Sequence, residues 1–235
     1  MTELNFFDCK ILNIKNLNHD VKQFTIQKPD GIGDFKTSSF VFISNTEIKR
    51  PYTPIEISEK ELKFPIKIYE KGEITQFLDK KKENEYIKIS NVICKREYKK
   101  NEFKKILMIA GGTGITPMVQ ILREIQENEK VKTEVNLILC NKTENDVFLN
   151  EILENFEFVN FVKIFSKTDN KKYFKGNINK DIVSKYIENV DFVYVCGPPG
   201  FMEAVSGDKN ADKTQGDIRG ILKELNFRKD QIFKF

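Results

Sequence analysis

Histidine is nearly absent from this chain, cysteine is sparse, and no hydrophobic run is long. His19 is the only histidine among 235 residues, and Cys9, Cys94, Cys140 and Cys196 stand far apart with no Cys-x-x-Cys pair. A zinc site or iron–sulfur cluster built from this chain alone is thereby excluded, as is any Ser-His-Asp scheme not centred on His19. Each cysteine reads as a small buried hydrophobe in a reducing compartment. No apolar stretch approaches the roughly 20 residues of a membrane helix, and residues 1–15 lack the apolar core of a signal peptide. The expectation is a cytosolic, cytoplasmic protein with no membrane anchor. Internal repeats and low-complexity tracts are missing as well.

What is present has the balance of a soluble globular protein, with 40% hydrophobic and 31% charged residues. The length suits two domains of about 100 to 135 residues, each able to bury a core. A net charge of +4 arises from lysines interleaved with glutamates, so the mean field is weak and no nucleic acid partner is expected. A local basic face can still steer an acidic protein partner, and Lys80–Lys82 with Lys99, Lys100, Lys104 and Lys105 are the densest clusters.

Residues 1–100 hold short runs of β-branched and aromatic residues at 9–17, 21–27, 40–44, 62–69 and 86–93, broken by turn residues such as Lys28-Pro29-Asp30-Gly31. They predict a small antiparallel Greek-key β-barrel, interrupted by one helix over 75–82. From residue 105 the pattern changes. Strands at 106–110, 135–140, 161–165 and 192–196 alternate with helices at 117–128, 146–156, 179–188 and beyond 196. That alternation predicts a doubly wound α/β parallel sheet, with ligands at the carboxyl ends of its strands. The boundary falls in the charged stretch 97–102, giving domains 1–100 and 101–235. Residues 206–217 read as a surface loop, before an amphipathic helix over 218–225 and a closing strand at 231–235.

Three stretches carry the chemistry. Ala110-Gly111-Gly112-Thr113-Gly114-Ile115-Thr116-Pro117-Met118 follows an apolar strand and opens a helix. Its glycines allow a ligand close to the backbone, and the unpaired amides and dipole of the first helical turn attract a phosphate. Pro117 suits that first turn, where a missing N–H costs nothing. The order Gly-Gly-x-Gly lacks the third glycine of the dinucleotide fingerprint, so an ordinary strand-to-helix turn stays open on this stretch alone. The second stretch is Arg50-Pro51-Tyr52-Thr53-Pro54, where an arginine can fork onto a diphosphate, a tyrosine can lie against a planar ring and a threonine can bond a ring nitrogen. An edge strand with an exposed turn is the alternative there. The third, Cys196-Gly197-Pro198-Pro199-Gly200-Phe201-Met202, again follows a strand and precedes a helix.

Together with Asn18-His19-Asp20, Ile66-Lys67-Ile68-Tyr69, Gly72-Glu73-Ile74-Thr75, Asn141-Lys142-Thr143-Glu144-Asn145-Asp146 and the ending Phe233-Lys234-Phe235, these stretches resemble the NADH–cytochrome b5 reductases of the ferredoxin reductase-like flavoenzymes. The tail, from Ala204-Val205-Ser206-Gly207 through Gly220-Ile221-Leu222-Lys223-Glu224-Leu225, looks most like fungal members. The resemblance implies an FAD-binding barrel, an NADH-binding α/β domain, and hydride transfer from NADH to FAD in the cleft between them. Single electrons then pass to a haem protein, cytochrome b5 first, whose acidic face suits the lysine clusters. The domain begins almost at Met1, without the hydrophobic anchor of many relatives, so a soluble monomer is expected. Any membrane association, at the endoplasmic reticulum or mitochondrial outer membrane, would be peripheral and through the partner.

Residue by residue, the resemblance implies that Arg50 holds the FAD pyrophosphate, Tyr52 packs on the isoalloxazine and Thr53 bonds near flavin N5, with Pro51 fixing the backbone between. Lys67, Ile68, Tyr69, Gly72, Ile74 and Thr75 complete the flavin site, Thr75 offering a hydroxyl to phosphate. Gly111, Gly112, Thr113, Gly114, Thr116 and Pro117, with Cys196, Gly197, Pro198, Pro199 and Met202, would bind NADH. Thr116 would touch both cofactors, and Cys196 would lie by the nicotinamide as a neutral thiol. Asp146 resembles the acidic residue that receives the adenosine ribose hydroxyls, where a carboxylate repels a 2′-phosphate and favours NADH over NADPH. A first-turn carboxylate on its own helix is the other reading of Asp146. His19 matches a histidine that relays a proton toward N5 from behind Thr53, against a structural role. Thr53, His19 and Cys196 are thus the expected catalytic residues, and no metal is expected.

The chain also departs from the pattern. Ser90-Asn91-Val92-Ile93-Cys94 stands where family members usually carry Gly-Pro-x-Gly, Ser38-Ser39-Phe40 where they read Gly-Gln-(His/Tyr), and Glu73 where lysine or asparagine is common. Side chains in place of glycines bear on FAD affinity. Two rival functions stay open on sequence alone. One is an NADH-dependent flavin reductase for a quinone, ferric chelate or oxygenase partner, and the other is a non-catalytic nucleotide-binding module that has lost FAD.

Overall fold

Period-two burial shapes the first part of the chain. In β1 (Phe6–Asn16) Cys9 and Ile11 face the core while Asp8 and Asn13 are exposed. The computed structural model describes residues 3–128 and 132–235, so the domain start expected at Met1 lies outside them. It divides into two units. One ends at Tyr98 and takes in Val119–Ile121, and the other holds Lys99–Met118 and Leu122–Phe235.

The first unit contains β1, β2 (Val21–Gln27), β3 (Val41–Ser44), β4 (Lys49–Tyr52), β5 (Glu56–Ile57), β6 (Glu61–Lys67), α1 (Glu73–Asp79) and β7 (Tyr86–Ser90). All pair antiparallel in the order β4-β3-β7-β1-β2-β6-β5. The expected barrel is therefore a curled antiparallel half-barrel with β4 and β5 at its edges. β1 makes the curl. Residues 6–10 pair with β7, those from Ile11 onward pair with β2, and a bulge falls between Ile11 and Asn13. A bulge bends a strand and tightens its twist, which lets one strand serve two faces. Phe24, Ile26, Leu62, Phe64, Ile43 and Ile89 fill the core, and Ile74 and Leu78 bring α1 onto it.

Strand β5 was not anticipated, and β4 is the edge strand that was the alternative reading of residues 50–54. β4 is short and carries Pro51, which can donate no ladder bond and is tolerated because β4 pairs with β3 alone. The helix expected over 75–82 starts two residues earlier, on Glu73.

The second unit alternates β8 (Lys105–Gly111), α2 (Ile115–Gln126), β9 (Glu134–Asn141), α3 (Asn150–Glu154), β10 (Val159–Phe165), β11 (Phe174–Lys175), α4 (Lys180–Val183), β12 (Phe192–Cys196), α5 (Pro199–Val205), α6 (Gly220–Glu224) and β13 (Ile232–Lys234). Its strands are parallel, in the order β11-β10-β9-β8-β12-β13. Ile106–Ala110 is an unbroken buried run, as a strand covered on both faces requires. From β8 the chain winds outward through β9 and β10, then returns to lay β12 on the other side of β8. That reversal is the point at which such sheets bind ligands.

Two helices are shorter than expected. Over 146–156 only α3 forms, because Thr143 and Asp146 cap a 3₁₀ turn at Glu144–Asp146 and Val147 then turns extended. Over 179–188, α4 gives way to a 3₁₀ turn at Ser184–Tyr186. No helix among the described residues is long and apolar enough to cross a membrane.

Ser38 is buried and held at φ 79°, a left-handed conformation that a glycine adopts freely. The glycine-like backbone is thus kept where relatives were said to carry glycine, at the expense of strain. Ser38→Gly is expected to raise stability by about 1 kcal/mol, read as a higher urea midpoint. An unchanged or lower midpoint contradicts it.

Candidate cofactor sites

In the first unit, β4 and the end of β6 bring three expected flavin residues together. Arg50 is exposed on edge strand β4, and its guanidinium donates only to the neighbouring Lys49 carbonyl among the bonds recorded, at 3.0 Å. Tyr52, two residues on, packs against the core with Ile68. Burial pushes the Tyr52 hydroxyl up to about 12, with Arg50 acting against that and Tyr69 adding to it. The three side chains therefore share one electrostatic neighbourhood. Thr53 follows, half-buried. Tyr69 is 46% exposed, so much of its ring is open to contact.

Gly72 and Thr75 build the entrance to α1. The Thr75 hydroxyl accepts from the Tyr69 N–H at 3.1 Å and donates to the Gly72 carbonyl at 2.9 Å. It is spent on the turn rather than offered outward, contrary to the expected hydroxyl contact with phosphate. The N–H groups of Glu73, Ile74 and Thr75 have no partner within the helix and are the donors left there. Lys67 forms an ion pair with Asp20 at 2.5 Å, and His19 Nε2 lies 3.5 Å from the same carboxylate. The structure thus gathers His19, Asp20 and Lys67. Asp20 is the member that sequence reasoning gave no role, since a carboxylate after a histidine carries no signal of its own.

The altered segment after β7 is internally bonded. Ser90 Oγ accepts from the Phe42 N–H and donates to the Asn91 carbonyl, both at 2.8 Å. Phe40 and Ile93 exchange both backbone bonds. Side chains in place of the glycine turn serve the sheet itself.

In the second unit, the two glycine turns lie on adjacent strands β8 and β12, paired Ala110 to Cys196. They touch through their backbones. A Cβ on Gly114 would overlap the Cys196 carbonyl, so only glycine fits. Gly112 sits at φ 54° with open space where its side chain would be. The Phe201 ring packs on Gly111 and Gly197 and joins the turns from above. Thr116 is buried with its hydroxyl donating to the Thr113 carbonyl at 3.1 Å, and Pro117 is the third residue of α2. Pro198 and Pro199 are exposed at the start of α5, and Met202 is buried beneath them. Burial pushes the Cys196 thiol up to about 12, so it is neutral near pH 7.

Asp146 is buried, and its Oδ2 accepts from the Thr143 N–H at 2.7 Å and hydroxyl at 2.6 Å. The first-turn capping role is thus present. Beside it Gly112, Leu139, Asn141, Val147, Phe148 and Leu153 line a narrow apolar cleft. The Asn141 side chain donates to the Asp146 carbonyl, and its own oxygen is buried without a partner. Val147 and Phe148 were missed because apolar residues after a strand read as core, and Asn141 and Phe201 stood within quoted motifs without a role of their own.

Two family models match the chain in sequence order: an oxidoreductase FAD-binding domain over residues 8–98 and an oxidoreductase NAD-binding domain over 108–207. NADH-cytochrome b5 reductase 2 of Lodderomyces elongisporus is 34% identical over 98% of this chain and 83% of its own length. That of Saccharomyces cerevisiae is 33% identical over the same shares. The chain belongs to the NADH-cytochrome b5 reductase family. The cytochrome b5 reductase domain of Ulva prolifera nitrate reductase shares the fold, with a TM-score of 0.80 at 23% identity over 98% of this chain and 97% of that one.

As a b5 reductase family member the chain has an FAD-binding and an NAD-binding domain, and its four cysteines are free thiols. Gly114→Ala forces the two turns apart and is expected to cost about 1–3 kcal/mol and to weaken NAD⁺ binding, both measurable on the purified protein. Wild-type values for both contradict the backbone contact. Burial also holds the thiols of Cys9, Cys140 and Cys196 at about 12 against an ordinary 9.0. The folded protein keeps these protons after the unfolded chain has released them. Their contribution is full below pH 9 and is lost as pH rises toward 12. The melting temperature should fall across that alkaline window, and Cys140→Val should flatten the fall.

Proposed function

We propose that this chain oxidises NADH through bound FAD and delivers electrons singly to a haem protein, cytochrome b5 being the first choice. The observation that carries the reading is the pair of glycine turns packed backbone to backbone at the reversal of the parallel sheet, in a chain whose other unit groups Arg50, Tyr52 and Tyr69.

The residues present fit both groups. The Arg50 guanidinium suits a diphosphate, and the faces of Tyr52 and Tyr69 suit a planar ring. Thr53 lies next to Tyr52 to bond a ring nitrogen, Pro51 stiffens the strand, and Lys67 and Ile68 border the site. The N–H groups of Glu73, Ile74 and Thr75 suit a phosphate. For the dinucleotide, the open space at Gly112 suits the pyrophosphate, while the apolar cleft lined by Val147 and Phe148 suits the adenosine half. Asp146 adds a buried carboxylate beside that cleft, which disfavours a 2′-phosphate and so NADPH. FAD, when bound, supplies the conversion of a two-electron donor into single electrons. The neutral Cys196 thiol positions and excludes water without ionising, and His19 with Asp20 and Lys67 can hold a proton near the flavin side.

The acceptor surface is narrower than the lysine count suggests. Lys100 pairs with Glu124, Lys105 with Glu134 and Lys81 with Glu85, whereas Lys80, Lys82, Lys99 and Lys104 are exposed outside those pairs. Lys80 and Lys82 are our choice for steering an acidic haem protein. Four free thiols suit a reducing compartment, where we place the protein.

The test is the visible spectrum of the purified protein before and after anaerobic NADH. A yellow protein that bleaches supports the reading, and one that stays colourless after incubation with FAD ends it. Cys196→Ala is expected to slow bleaching by about tenfold with FAD content unchanged. A parental rate would remove Cys196 from the site.

A further inference from the structure

Lys234 is a charged side chain inside the fold. It is 2% exposed, and its ammonium donates to the carbonyls of Asp208 at 3.2 Å and Asp217 at 2.8 Å. Its backbone closes on the same loop, donating to Gln215 Oε1 at 2.7 Å and accepting from Gln215 Nε2 at 3.1 Å. One residue of β13 therefore gathers positions 208, 215 and 217 of the 206–217 loop.

Stability is a poor reason for such a group. Burial lowers the pKa of Lys234, with Lys229 adding to the effect, so the charged form is disfavoured where it sits. An apolar residue of similar length would fill the space without that penalty. What the ammonium provides is order. Lys234 pairs in register with Val195, one residue before Cys196, and the Phe235 N–H donates to the Val195 carbonyl. The loop is thereby fastened beside the strand that ends in the Cys196–Gly197 turn. Lys209 lies between the pinned Asp208 and Asn210, which is itself tied to Thr214 through backbone and side chain. Lys209 follows Asp208, whose carbonyl Lys234 holds, so the fastened loop carries it beside the strand that ends at Cys196, and its charge acts against the larger effect of burial on the Cys196 thiol.

We infer that Lys234 is a positioning residue, holding the 206–217 loop so that Lys209 meets the anionic pyrophosphate of a dinucleotide bound at the Cys196–Gly197 turn. The inference rests on the dinucleotide site proposed above and extends it to a loop that no part of that reading uses.

The test is calorimetric titration of the full-length, FAD-loaded protein with NAD⁺, in the parent, Lys234→Met, Lys209→Met and the double variant. Each single substitution is expected to weaken binding by about tenfold. The double variant should bind no more weakly than Lys234→Met, because both remove the same contact. The flavin spectrum and FAD content should stay as in the parent. Gln215→Ala loosens the loop from its other side, should weaken NAD⁺ in the same direction, and serves if Lys234→Met does not fold. Parental affinity in Lys209→Met, or effects that multiply in the double variant, overturns the inference while the dinucleotide site stands. A parent that carries FAD and binds no NAD⁺ overturns both.

Discussion

The contact between Gly114 and the Cys196 carbonyl is the constraint on which the NAD-binding unit turns. Two strands that are neighbours in the sheet but about 85 residues apart in the chain must end level, and their turns must pass within van der Waals reach of each other. A side chain at position 114 is impossible under that condition. Phe201 reinforces the arrangement by lying on the glycines of both turns. Pro117 and Pro199 start their helices where a missing N–H does no harm.

The FAD-binding unit reaches its geometry by different means. A bulge in β1 lets one strand join two halves of a sheet, and the resulting curl leaves β4 at an edge. An edge is the one place where Pro51 can sit in a ladder, and it leaves Arg50 turned to solvent. The Arg-Pro-Tyr-Thr-Pro stretch therefore joins a structural tolerance to a binding need. Its proline marks the edge, and the residues around it use the exposure.

Where the chain departs from its relatives, the structure absorbs the change internally. Ser38 takes up a glycine-like backbone, and Ser90 bonds both to β3 and to its own successor. The Ser90 hydroxyl meets backbone groups that a glycine turn would have left to be satisfied otherwise.

The element types, the two-domain order and the glycine turns were legible in the sequence, because local periodicity, turn chemistry and glycine content are properties of short segments. Arg50, Tyr52 and Asp146 were legible as site candidates, since charged and aromatic groups in turns advertise themselves. Strand β5 was not, because brevity hides an edge strand whose existence depends on a neighbour, and β4 was legible only as the alternative reading of its stretch. The truncation of α3 and α4 was not legible either, as capping by Thr143, Asp146 and Asn179 competes with helical periodicity and wins only in context. The pairing of Thr75 with its own turn, of Asp20 with Lys67, and the buried cation at Lys234 belong to tertiary structure alone. A single sequence states which groups can donate or accept, and only the folded chain decides which of them meet.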